Sequence, residues 1–259
     1  MHPILIDLGF WQVPTYGVLL ALAVIAALWT ARRRARRAGL DGDRIVDFGL
    51  WLVIWALLGS KLLLVLVELP RFVRNPAEVL TLVRAGGVFL GGFIAGIIAA
   101  FVLIRRYRLP ALRTLDVLVP SLSLGQAIGR LGCLAAGCCW GAECRLPWAI
   151  EYSNPVAAET LGTPLHVPLH PFPVYAFLCN LGLYLVFAWM FRMQLKTGRV
   201  FGAYLVLYGA VRFLLEWTRG DAVRGFVFHD LLSTSQFISV LMVAGGIGLQ
   251  IWVTSRNRG

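Results

Sequence analysis

The sequence predicts an all-α polytopic membrane protein of about seven transmembrane helices, with the N-terminus outside and the C-terminus cytoplasmic. Three observations predict it. Of 259 residues, 59% are hydrophobic and only 14% charged, against roughly 25% charged in soluble domains, and mean hydropathy is +0.76. Apolar runs near the 20 residues or so that a span needs occur at 13–31, 45–67, 87–104, 112–134, 174–191, 201–217 and 231–253. Basic residues collect between these runs on alternate sides, the pattern of cytoplasmic loops.

Taken in order, the first run is followed by Arg32, Arg33, Arg34, Arg36 and Arg37. A basic cluster after the apolar stretch, with no small-residue cleavage site, marks a retained span rather than a removable signal peptide. Arg105, Arg106 and Arg108 follow the third run; Arg192, Lys196 and Arg199 follow the fifth; Arg256 and Arg258 come after the seventh. All of these fall on the cytoplasmic side, and Arg71, Arg74 and Arg84 are the exception. The fourth run is glycine-rich at its end and can break there, because irregular backbone is tolerated where protein buries it or a cavity receives it. No long polar linker, low-complexity tract or internal repeat intervenes, so residues 1–259 read as a single integral-membrane domain. The net charge of +11 suits nucleic acid only on a solvated basic face. Here the charge lies in loops, which excludes that partner.

Chemistry concentrates in Gly129-Arg130-Leu131-Gly132-Cys133, continued by Gly137-Cys138-Cys139-Trp140-Gly141. An arginine beside a bilayer core is costly unless something anionic pairs with it, and the flanking glycines permit close backbone approach to a ligand. In the sixth run Tyr208, Arg212 and Glu216 recur every four residues and so share one helix face, with Arg219 three residues on. Arginine grips phosphate bidentately, so Arg130, Arg212 and Arg219 at the outer side predict an anionic headgroup site. The alternatives are an i, i+4 helix-supporting pair for Arg212 and Glu216 and a snorkelling Arg130. In the third run Gly92 and Gly96 have the GxxxG spacing of close helix packing. His170, Tyr175 and Tyr16 suit a membrane interface. The five cysteines form no CxxC pair and no zinc-finger spacing, so no metal ligand set and no cofactor is assigned. The longest connection, 140–173, is extracytoplasmic in this topology and lies in an oxidising compartment.

In order along nearly the whole chain, these pieces resemble the bacterial prolipoprotein diacylglyceryl transferase family. The resemblance is carried by Tyr16-Gly17, Gly86-Gly87 and Gly91-Gly92, Asp116, Gly129-Arg130-Leu131-Gly132, Trp140-Gly141, His170-Pro171 with Tyr175, Tyr208-Gly209 with Arg212 and Glu216, and Ser233 with Gln236. It implies a multi-pass enzyme of the bacterial plasma (inner) membrane, active in lipoprotein biosynthesis. Such an enzyme moves the diacylglyceryl group of phosphatidylglycerol to the lipobox cysteine of a prolipoprotein, or to another thiol acceptor, and glycerol phosphate leaves. By resemblance, Arg130 and Arg212 stabilise the phosphate and Glu216 orients an arginine; Cys133, Cys138 and Cys139 are candidate catalytic groups from this sequence's own cluster, not from the family pattern. The resemblance implies that Tyr16 and Tyr208 line the lipid pocket, and the residues themselves add Gly91, Gly92, Gly129, Gly132, His170, Tyr175 and Arg219 as candidate substrate contacts.

The chain departs from that pattern where the family carries polar groups. Leu90 stands for a histidine, Cys133 for the asparagine of Gly-Arg-x-Gly-Asn, and Ala136 and Cys138 for an asparagine and a glutamate ahead of Trp-Gly. Leucine takes up no proton, and a cysteine replaces a carboxylate only as its thiolate. His166 and His170 are the candidate substitutes for the lost base. Two alternatives follow: thiol, redox or metal chemistry at Cys133, Cys138 and Cys139, with Cys144 near them, or a non-catalytic lipid-binding protein.

Overall fold

The computed structural model describes residues 2–9, 12–75, 87–220, 226–227 and 231–255; Arg84, Gly86, Arg256 and Arg258 lie outside them. A short hairpin of β1 (Ile4–Asp7) and β2 (Gln12–Pro14) leads into α1 (Thr15–Arg37). There follow α2 (Gly42–Val67), α3 (Leu69–Arg74), α4 (Phe89–Arg106), α5 (Ala111–Ala136), α6 (Pro155–Leu161), α7 (Phe172–Arg192) and α8 (Arg199–Leu215). A 3-10 turn at Glu216–Thr218 continues α8, a two-residue pairing joins β3 (Phe226–Val227) to β4 (Leu232–Ser233), and α9 (Thr234–Ser255) closes the described chain. Seven helices are long and apolar enough to cross a membrane: α1, α2, α4, α5, α7, α8 with its 3-10 turn, and α9. Each coincides with one of the seven apolar runs. Large apolar side chains such as Leu62, Ile98, Leu185 and Trp189 are exposed along them, as lipid-facing positions are, and the protein is a multi-pass membrane protein. The fourth span is continuous through Gly125, Gly129 and Gly132, and through Pro120, to Ala136; the expected break does not occur.

The contacts divide the chain into residues 31–114 and a second unit of 1–30 with 115–259. In the first unit α2 packs along α4. A Cβ on Gly59 would collide with Gly91 O and the Cβ of Ala95, one on Gly91 with Gly59 O, and one on Gly92 with Ala56 O at 2.8 Å. The close approach is therefore centred on Gly59, Gly91 and Gly92. Gly96 of the GxxxG pair is not part of it, since its nearest neighbour, the Cβ of Ala56, stands 4.0 Å off.

In the larger unit residues 15–30 of α1 lie on α5, where Thr30 Oγ1 donates to Ser121 Oγ at 3.0 Å. Helices α7, α8 and α9 surround a core of Val119, Leu183, Phe187, Val200 and Tyr204. Asp116, buried on α5, accepts from the backbone N–H groups of Gly198 (2.6 Å) and Phe201 (2.7 Å). It thereby caps α8 from a different helix, where free donors and the helix dipole favour an anion. Ser233 and Gln236 form a reciprocal capping box on α9: Ser233 N donates to Gln236 Oε1 (3.0 Å) and Gln236 N to Ser233 Oγ (3.1 Å). Both pieces of the family resemblance thus have structural work here. Asp116→Ala removes two charge-assisted bonds and is expected to cost about 2–3 kcal/mol. The check is the unfolding midpoint of the purified protein in detergent.

Candidate active site

The site is assembled where α5 ends. Gly137 adopts φ +81° and stops the helix, and Cys138 N donates back to Cys133 O at 3.1 Å, the six-to-one bond of a Schellman turn. Gly137 is required on space as well, because its Cβ would meet the Cβ of Ala157 at 2.9 Å. Cys139 is left-handed too, at φ +56°, an uncommon conformation for a side-chain-bearing residue. The reversal returns the chain over its own helix end. The thiols of Cys133, Cys138 and Cys139 then lie with all sulfurs within 4.8 Å of one another. The long connection roofs them. Thr163 Oγ1 donates to Gly137 O at 2.8 Å, and Tyr152 is fully buried against the turn.

Beyond Cys139 the chain runs straight between two other segments. Gly220 N donates to Trp140 O (3.1 Å), Ala142 N to Thr218 O (3.0 Å) and His170 N to Ala142 O (2.9 Å), with Gly141 paired antiparallel to Arg219. A Cβ on Gly141 would strike His170 O, and one on Gly220 would strike Gly141 O. Backbone contact alone thus joins the cysteine turn to the end of α8 and to the start of α7.

Three guanidiniums converge there. The Cζ atoms of Arg130, Arg212 and Arg219 stand 5.7, 5.9 and 5.7 Å from the ring centroid of Phe172, itself wholly buried. Each ring contact is worth about 0.5–2 kcal/mol, which does not offset the mutual repulsion of three cations in a poorly solvated place. Arg212 is anchored on both sides, by Glu216 Oε2 at 2.7 Å and by Ser235 Oγ at 2.8 Å. Glu216 is only 3% exposed. Arg130, Arg212, Arg219 and Glu216 together keep two units of positive charge, which an anion would neutralise. Arg219 reaches the cluster from extended backbone (φ −88°, ψ 135°) after the 3-10 turn, not from the helix face that Arg212 and Glu216 share.

The cysteine turn feels this charge. Hydrogen bonds from Cys133 and Cys138, then the Arg130 and Arg219 guanidiniums, hold the Cys139 thiol far below the usual thiol range. Its hydrogen bonding to Cys133 and Cys139, together with burial, pushes Cys138 up.

Tyr16 packs its ring on Gly132, whose Cβ would come within 3.1 Å of it, and lies within electrostatic reach of Arg130 and the three cysteines. Tyr208 is within reach of Arg130 and Arg212 and stacks on Tyr204 at 5.1 Å. Gly129 faces open space. Tyr175 is tied to Trp148, whose indole donates to its hydroxyl at 2.7 Å, and to His170 Nδ1 at 3.4 Å. Beside the ion pair, Phe213, Glu216, Trp217, Leu232, Ser233 and Gln236 line a cavity of about 480 Å³. Gly91 and Gly92 are helix-packing glycines of the 31–114 unit, Leu90 is 43% exposed, and His166 is exposed on a turn whose N–H donates to Tyr152 O at 2.9 Å. Sequence reasoning missed Phe172, Ser235 and Tyr152. The first reads as one more aromatic opening a span, and nothing in its spacing marks it as the shared floor of three arginines.

The geometry can be set beside known proteins. A family model described as prolipoprotein diacylglyceryl transferase matches residues 3–252. The chain is 35% identical over 247 residues to a phosphatidylglycerol–prolipoprotein diacylglyceryl transferase of Clostridium tetani, covering 95% of this chain and 96% of that one. A protein of the same name from Synechococcus elongatus is 32% identical over 262 residues, with 99% and 89% covered. A phosphatidylglycerol–prolipoprotein diacylglyceryl transferase 2 of Clostridium perfringens is 31% identical over 236 residues, with 91% and 89% covered.

Proposed function

Because the chain belongs to the prolipoprotein diacylglyceryl transferase family, we propose that its three-arginine cluster holds the phosphate of phosphatidylglycerol. The diacylglyceryl group then passes to a cysteine thiol, the lipobox cysteine of a prolipoprotein, at the outer side of the bacterial plasma membrane. In this reading the N-terminus is outside, the C-terminus is cytoplasmic, and residues 1–259 act as one transferase domain. The observation that carries the reading is the convergence of Arg130, Arg212 and Arg219 on one buried ring, with Glu216 the one carboxylate seen among them in the described residues.

The chemistry matches that charge. As the acceptor sulfur attacks the glycerol carbon, the bond from that carbon to the phosphate oxygen breaks and its electron pair stays on the phosphate. A phosphodiester monoanion becomes a monoester dianion, so negative charge grows where the guanidiniums already point. Such fixed donors favour the transition state over the ground state. Glu216 and Ser235 are positioning residues that hold Arg212 in place. Tyr16, Tyr208, His170, Tyr175, Arg219, Gly129 and Gly132 border the lipid, and Cys133, Cys138 and Cys139 face the reacting end.

The test uses purified protein in phosphatidylglycerol vesicles with a lipobox peptide. Expected is a peptide mass gain equal to one diacylglyceryl group, with equimolar glycerol phosphate released. A well-expressed copy that gives neither product, and fails to restore lipoprotein processing in cells depleted of their own transferase, overturns the reading.

A further inference from the structure

A thiol must lose its proton before its sulfur attacks carbon. At the arginine cluster the one carboxylate seen among the described residues, Glu216, is already engaged by Arg212. The three thiols of the adjoining turn offer another route. We propose that Cys133, Cys138 and Cys139 hold a zinc ion whose fourth coordination position takes up the acceptor thiol as a thiolate.

Four observations carry this. The three sulfurs lie within 4.8 Å of one another, and a tetrahedral ion with bonds of about 2.3 Å places its sulfurs near 3.8 Å apart, about 1 Å closer. The turn that gathers them is held by Gly137 and Cys139 in the left-handed region, so the clustering is built into the backbone. Among the described residues, no His, Asp, Glu or further Cys joins the group; three protein ligands and an open position are the pattern of a catalytic rather than a structural zinc site. Cys144 is not a member of the group, and its backbone N–H is bonded to Pro168 O at 3.0 Å. Finally, the hydroxyl of Tyr152 is buried without a hydrogen-bond partner and lies within electrostatic reach of all three cysteines. An anionic zinc–thiolate centre supplies the acceptor that a buried phenol needs.

Charge closes the argument. Zinc with three thiolates carries one negative charge and a bound phosphodiester carries another. Before the acceptor arrives they match the two positive units left by Arg130, Arg212, Arg219 and Glu216, and the acceptor thiolate then adds one negative charge that the departing dianion carries away. A coordinated thiol is deprotonated outright, so the incoming cysteine sheds its proton to water on binding. Its sulfur forms the carbon–sulfur bond as the carbon–oxygen bond breaks. Glycerol phosphate departs as the dianion, and the thioether, a weaker ligand, is released. The identity of the incoming thiol rests on the transferase reading, but the ion itself does not.

Cobalt(II), the spectroscopic substitute for zinc, tests the site without turnover. The detergent-purified, reduced, metal-free protein is titrated with Co²⁺. Expected is one equivalent bound with intense near-ultraviolet thiolate-to-cobalt absorption. The absorption is lost in C133S, C138S and C139S, with affinity falling beyond the 10–100-fold that outer-shell changes cost, and is kept in C144S. A cysteine-bearing lipobox peptide then shifts the visible cobalt bands, and its serine analogue does not. That second arm uses only the wild-type protein and so survives misfolding of any variant. Absence of the absorption, binding of Cu⁺ alone, or a native disulfide among the three cysteines overturns the site. Absorption that the cysteine peptide leaves unmoved, or full transferase turnover by metal-free protein, overturns its open-position role. Failure of the transferase reading shows separately, as zinc-loaded protein that binds the peptide and releases no glycerol phosphate.

Discussion

Arg130→Ala lowers transfer from phosphatidylglycerol by about 10²–10³-fold, the usual loss when one fixed donor to a developing anion is removed. Arg130 rises from the last turns of α5, one helical turn before Cys133, and its guanidinium stands over Phe172 beside those of Arg212 and Arg219. It is the arginine that connects the phosphate end of the site to the cysteine turn. Loss of its charge also relieves repulsion among the three cations, so the variant stays folded. Its unfolding midpoint in detergent equals or exceeds that of the parent. Arg130→Lys restores a charge but not a bidentate grip, and recovers only part of the rate. Parental turnover in the alanine variant refutes the role.

Glu216→Ala has the opposite profile. The carboxylate is buried and bound to Arg212 at 2.7 Å, and breaking such a pair from one side costs about 3–5 kcal/mol because the remaining charge stays desolvated. Three guanidiniums then face one another with no carboxylate among them in the described residues. The expected result is a marked fall in thermal stability together with a loss of turnover, both partly reversed by added phosphatidylglycerol, whose phosphate supplies an anion to the folded state. An unchanged midpoint would mean that the pair contributes nothing, as exposed pairs often do. Arg130→Ala and Glu216→Ala thus separate a residue that acts on substrate from one that acts through its neighbour.

Long-wavelength features of the chain were readable in advance. Seven apolar runs became seven helices because a span is specified by length and hydropathy, both visible in one dimension. Arg212 and Glu216 were placed on one face by a four-residue interval that the helix preserved. Contacts set by the tertiary path were not readable. Arg219 leaves the helix face, yet reaches the cluster through extended backbone at the end of α8. Gly91 and Gly92 carry no mark in the sequence that distinguishes a ligand-approach glycine from one packed on Gly59 or Ala56 across a helix seam. Asp116, Ser233 and Gln236 carried the family resemblance with no stated role, and they act as caps, a role that depends on which backbone N–H groups the fold brings near. The cysteine interval fits no zinc-finger pattern, because a left-handed reversal at Gly137 and Cys139, rather than a CxxC spacing, gathers the sulfurs.

The crossing of residues 140–142 between 168–170 and 218–220 is built from main-chain hydrogen bonds and glycines. A frame of that kind is indifferent to the side chains mounted on either side of it. Its reagents are therefore interchangeable inserts: the cysteines can be exchanged for other groups while the cationic cradle keeps its shape. Grafting the cysteine turn onto a relative's frame, or the reverse, is the natural route to exchanging one proton-handling chemistry for another within a single scaffold.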